Sequence, residues 1–118
     1  MLTRDQIFQI DDLQQEVVAV PEWGGDVIVR GMTGAERDEY EGARVQIEGK
    51  RVRLNYDNIS AKLVSLCVID EHGARLFSEA DVAQLGTRNG KALKRVAEVC
   101  TRLSGLRDED GDAASKNS

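Results

Sequence analysis

The sequence is poor in the residues that most metal and catalytic centres need. It has one histidine, His72, and two cysteines, Cys67 and Cys100, among 118 residues. A zinc site would have to draw most of its ligands from carboxylates, and no ligand pair has metal-site spacing, so no metal is expected. No apolar run approaches the ~18 residues that a membrane span needs. The start of the chain, Met1-Leu2-Thr3-Arg4-Asp5, lacks the apolar block of a secretory signal. Both absences point to the cytoplasm and away from membranes. In that compartment, two cysteines within apolar helical patterns read as buried free thiols rather than as a disulfide. Basic charge is also short, with 16 Lys and Arg against 21 Asp and Glu and a net charge of −5. A nucleic-acid binder normally presents a basic stripe. Here the basic residues form only local clusters, at Lys50-Arg51-Val52-Arg53 and between Lys91 and Arg95. No nucleic-acid partner is expected.

Enzymatic chemistry finds no foothold either. Asp70-Glu71-His72-Gly73 puts acids beside the histidine, but such a run usually reverses the chain, its short polar side chains bonding local backbone. Cys67 sits in an apolar helical run and reads as buried, which disfavours a Cys67–His72 nucleophile pair. Trp23-Gly24-Gly25 and Arg88-Asn89-Gly90-Lys91 lack the glycine spacing of a P-loop or dinucleotide fingerprint. The sequence therefore offers no catalytic residue and no cofactor site.

What is present is the composition of a water-soluble globular domain, 41% hydrophobic and 31% charged. The length suits one domain with a real core. Residues 1–106 carry the apolar patterning. Residues 107–118 are polar, mostly acidic and without apolar anchors, so a disordered tail is expected there. The most specific stretch is Pro21-Glu22-Trp23-Gly24-Gly25-Asp26, flanked by the β-branched runs Glu16-Val17-Val18-Ala19-Val20 and Val27-Ile28-Val29-Arg30. This pattern predicts a β-hairpin over residues 14–20 and 26–32, with glycine supplying the turn conformation. Thr33-Gly34-Ala35-Glu36 is a capping-box signature, and Thr3-Arg4-Asp5-Gln6 is another, opening a short helix that carries Ile7 and Phe8.

A thin apolar stripe, Ala35, Tyr40, Ala43 and Ile47, predicts a surface helix over 34–48 that Gly49 stops. Residues 50–54 read as a brief extended piece or as the rim of the next helix. That helix begins at Asp57 or Asn58, and its second half, 63–69, is apolar nearly all round, which places it at the centre of the core. A short helix capped at Ser78 contains Val82 and Leu85 and stops at Gly86. Leu93, Val96, Cys100 and Leu103 form one face of a last helix. The expected fold is α+β and mostly α, an N-terminal hairpin followed by about four helices packed around a central apolar helix.

Three apolar residues stand out as candidate contacts. Trp23, at the hairpin turn, is either a lid over the end of the core or a contact residue. Phe8 and Leu106, which flank the domain, carry the same two readings.

The stretch from Pro21 to Arg30, followed by Met32-Thr33-Gly34-Ala35-Glu36-Arg37-Asp38, resembles the N-terminal signature of tail assembly chaperones from long-tailed bacteriophages and prophages. Further similarity lies in Leu66 to Phe77, in Asp81-Val82 and Leu85-Gly86, and in Leu103-Ser104-Gly105-Leu106. It spans roughly residues 2 to 106. The resemblance implies a non-enzymatic helper in tail morphogenesis that binds the tape measure protein, keeps it soluble and helps recruit the tail tube protein around it. It also implies self-association and absence from the mature virion. A small host adaptor and a structural tail component retained in the virion are the alternatives.

Overall fold

Val18 and Val20 face inward while Val17 and Ala19 face solvent, Val29 is buried on the facing strand, and this period of two turns the residues around Pro21 into a hairpin. In the computed structural model, which describes residues 1–106, strand β1 (Gln15–Val20) pairs antiparallel with β2 (Gly25–Arg30). A single 3-10 turn, Pro21–Trp23, joins them and ends at Gly24, whose φ of 77° is the left-handed conformation that glycine adopts without strain. The expected tail over residues 107–118 lies outside the described residues.

Both expected capping boxes form. Thr3 opens α1 (Arg4–Gln9), and Thr33 opens α2 (Gly34–Ala43) with Glu36 reaching back to the Thr33 N–H at 2.9 Å. The core comes from α3 (Ile59–Cys67) against α5 (Gly90–Leu103), with β1 and β2 over them. A short α4 (Val82–Leu85) closes one side and stops at Gly86, as its sequence predicts. Leu93, Val96 and Cys100 are buried on α5, and Asn89 caps that helix by accepting from the Ala92 N–H at 2.9 Å. The fold is α+β and mostly α, with four helices after the hairpin among the described residues.

Four expectations need correction. The surface helix does not reach residue 48. It ends at Ala43, and β3 (Val45–Glu48) folds back on β4 (Arg51–Leu54) as a second hairpin. Gly49, expected as a helix stop, instead takes a φ of 60° in the first position of that hairpin's turn. The central helix does not run to Ile69 either. It ends at Cys67, and Val68–Ile69 becomes β5, a third strand antiparallel to β2. Nor are the cysteines free. Cys67 and Cys100 are bonded, because α3 packs against α5 and brings their Cα atoms to 5.9 Å, within a disulfide's reach. Finally, Leu106 is only 3% exposed and belongs to the core rather than to the flank of the domain.

Candidate functional site

Pro21 fixes the first position of the 3-10 turn, and Gly24 then swings the chain back, so Trp23 is held at the rim of the domain. Glu22, in the same turn, accepts two hydrogen bonds from the Arg95 guanidinium at 2.7 and 2.8 Å, which ties the turn to α5. That charge-assisted pair, with backbone help, lowers the Glu22 carboxyl to about 2. The same bonds push Arg95 upward.

Trp23 is half-buried against the core and lines a groove of about 340 Å³ with Phe77, Asp81, Gln84, Leu85 and Arg88. The buried Leu85 and half-buried Phe77 supply apolar surface opposite the indole. Asp81 is fixed by accepting from the Ser78 N–H at 2.8 Å, the expected cap of that segment. The Trp23 indole N–H is buried and has no acceptor among the described residues. A groove of this kind suits an apolar side chain.

The three residues singled out in the sequence are not brought together. Phe8 is 74% exposed on α1, with the Arg4 guanidinium 5.0 Å from its ring centroid, while Leu106 lies in the core. Helix α1 buries none of its residues, and Ile7 and Ile10 are exposed beside Phe8. The second hairpin is similar. Val45 pairs with Leu54 and Ile47 with Val52, so all four lie on one face, and all four are exposed. Arg44, whose guanidinium stacks over the rings of Tyr40 and Tyr56 at 5.4 Å each, fastens the base of this hairpin.

Sequence reasoning missed Phe77, Leu85 and Arg88 as partners of Trp23, because only tertiary packing joins them. It also missed the hairpin's apolar face, although Val45-Gln46-Ile47 and Val52-Arg53-Leu54 carry the alternation that could have shown it. The Asp70–Gly73 segment is the turn its composition suggested, with Asp70 Oδ1 accepting from the His72 and Ala74 N–H groups at 2.8 and 3.1 Å. Cys67, fully buried and bonded to Cys100, is no nucleophile. Among the described residues no helix is long and apolar enough to cross a membrane.

These features define a small α+β protein that presents apolar grooves and faces around a helical core. It belongs to the phage tail assembly chaperone family, whose sequence profile matches residues 7–117. The solved structure of the bacteriophage HK97 tail assembly chaperone is similar in fold, with a TM-score of 0.59 at 16% identity, covering 86% of this chain and 95% of that one. No curated protein matches the chain. Family membership points to a non-enzymatic role in tail assembly.

Proposed function

We propose that this chaperone binds the tape measure protein, keeps that long client soluble and helps recruit tail tube subunits during morphogenesis. The observation that carries the reading is the Trp23 groove, a cleft in which the half-buried Trp23 meets the apolar surface of Phe77 and Leu85. An apolar side chain of the client fills the groove against the indole ring. Phe8, exposed on α1, adds a second contact, and copies of the chaperone associate with one another along the client. Leu106, buried, acts only by holding the core together. The protein works in the host cytoplasm and leaves before the virion is complete.

The test is co-expression with the tape measure protein of the same phage or prophage, followed by pull-down and a solubility assay. Soluble tape measure protein that co-purifies with this chain supports the reading. A tape measure protein that stays insoluble, alone and together, refutes it. Mass spectrometry of purified virions separates a chaperone, which is absent, from a retained structural component.

A further inference from the structure

The three-stranded sheet has a second face, turned away from the helices. Its order is β1-β2-β5, and cross-strand partners share a face, so Val17, Ile28 and Ile69 form one apolar row across it. The chain after β5 returns alongside it, with the Leu76 N–H donating to the Val68 carbonyl at 3.0 Å. This brings Leu76 to the far side of the row. Together these residues line a groove of about 340 Å³, distinct from the one at Trp23. Ile69 is its buried floor, at 3% exposure, whereas Val17 and Leu76 are 65% and 52% exposed.

The charged residues that line this groove have one sign, while Arg75, which bridges Ile69 at the end of the row, is turned to the Ser65 carbonyl, to which its Nε–H donates at 3.0 Å. Asp26, Asp70 and Glu71 line the groove. Asp26 stands on the same face as Val17 and Ile28, because Ala19 pairs with Asp26 two residues along the ladder. Asp70 is committed to its turn, but Asp26 and Glu71 make no side-chain hydrogen bond or ion pair among the described residues. The one cation on β2, Arg30, is neutralised by two hydrogen bonds to Glu36 at 3.0 and 3.1 Å. The groove is therefore apolar along its length and anionic at its rim.

We propose that this outer sheet face is a docking site for a basic amphipathic segment of a partner protein, with apolar side chains along Val17, Ile28 and Leu76 and Lys or Arg against Asp26 and Glu71. The commitment to a basic occupant follows from the two unpaired carboxylates, which repel an acidic segment and steer a basic one. The exposed apolar row is short, which suits a weak, releasable contact rather than a permanent interface. The inference does not depend on the Trp23 groove.

The test titrates the full-length protein into two fluorescein-labelled synthetic amphipathic helices, one of Leu and Lys and one of Leu and Glu, read by anisotropy. The Leu/Lys peptide should bind about tenfold or more tightly than the Leu/Glu peptide, with affinity falling as salt rises. The double variant Asp26→Lys/Glu71→Lys should reverse that preference, and Val17→Asp should weaken Leu/Lys binding about tenfold. These positions are exposed, so circular dichroism and melting should be unchanged. Trp23→Ala should leave peptide binding unaltered, which separates this site from the proposed client groove. Equal binding of both peptides, or Leu/Lys binding indifferent to these substitutions, overturns the proposal. So does a change of sedimentation coefficient in Val17→Asp without peptide, since the occupant would then be a second copy.

Discussion

Replacing Trp23 separates the two readings that the sequence left open for it. The residue is half-buried, and a fully buried Trp→Ala change costs ~3–5 kcal/mol. Half of that burial makes Trp23→Ala cost about 2 kcal/mol of stability, and about 10 °C in melting temperature for a domain of this size. From a starting stability of ~5 kcal/mol or more, the variant remains over ~99% folded at 25 °C, so a binding loss cannot be attributed to unfolding. A groove tryptophan acting as a contact costs a further ~2 kcal/mol or more in the complex, about thirtyfold in affinity. Trp23→Phe sharpens the distinction. It keeps an apolar ring and deletes the buried N–H that has no acceptor, so stability should hold or rise slightly. Binding should fall less than in Trp23→Ala, because the phenyl ring keeps part of the apolar contact surface. Urea unfolding followed by circular dichroism gives the stability, and retention of solubilised tape measure protein on the immobilised chaperone gives the binding. As the only tryptophan, Trp23 also reports directly, and its emission should shift to the blue when the client covers it. Intact binding in both variants, with stability lost in Trp23→Ala, would make Trp23 a lid and refute the contact role.

Glu36 both closes the α2 capping box and pairs with Arg30, their side chains being 13% and 11% exposed. Burial raises its carboxyl, but the Arg30 and Thr33 hydrogen bonds outweigh this and leave it below the ordinary value. Glu36→Gln, which keeps the reach-back bond but breaks the ion pair, should cost about 2 kcal/mol in urea unfolding. A loss under ~0.5 kcal/mol would mean the pair is no stronger than a surface one. A Cβ on Gly31 would sit 2.8 Å from the Leu103 carbonyl oxygen, so Gly31→Ala should destabilise by ~1–3 kcal/mol, and an unchanged melting temperature would refute that close approach. Glu22, lowered from 4.5 to about 2, contributes stability that is present above pH 4.5 and is lost as pH falls toward 2. Glu22→Gln should therefore flatten the stability profile between those values, an effect that salt reduces because the pair is solvent-accessible, and parallel acid profiles would rule it out.

Local signals were legible wherever a short sequence settles its own structure. The first hairpin, both threonine caps, the Asp70 turn and the inward faces of α3 and α5 each rest on spacing within one element. The misreadings fall where two periods compete. Tyr40, Ala43 and Ile47 continue a helical stripe, while Val45 and Ile47 already alternate as a strand, and Gly49 is compatible with either outcome. Val68 and Ile69 extend the apolar helix in sequence, yet β2 offers them a ladder that only the folded chain reveals. The cysteine bond has the same origin: each residue was correctly assigned to an inward face, but which helices face each other is a property of the whole fold. The Trp23 groove was half legible. Trp23 announced itself, while Phe77 and Leu85 arrive from far along the chain.

The competition of periods in β3 and β4 has a physical consequence that can be measured. A two-stranded hairpin without a third strand or a covering helix is marginally stable in water. Among the described residues nothing covers Val45, Ile47, Val52 and Leu54 here, and an Arg53–Glu48 contact at 3.3 Å across the polar side is itself exposed. Such a contact contributes little. At the hairpin's base the Arg44 guanidinium lies over the rings of Tyr40 and Tyr56. The ladder should therefore open far more often than the rest of the molecule. In the free protein, amides of 45–48 and 51–54 should exchange with deuterium within seconds to minutes, while those of α3 and α5 persist until global unfolding. Protection of the hairpin equal to that of α3 would show that its apolar face is already covered in the free protein, by another copy or by the remainder of the chain. The strand assignment would then be right, and the uncovered face would not.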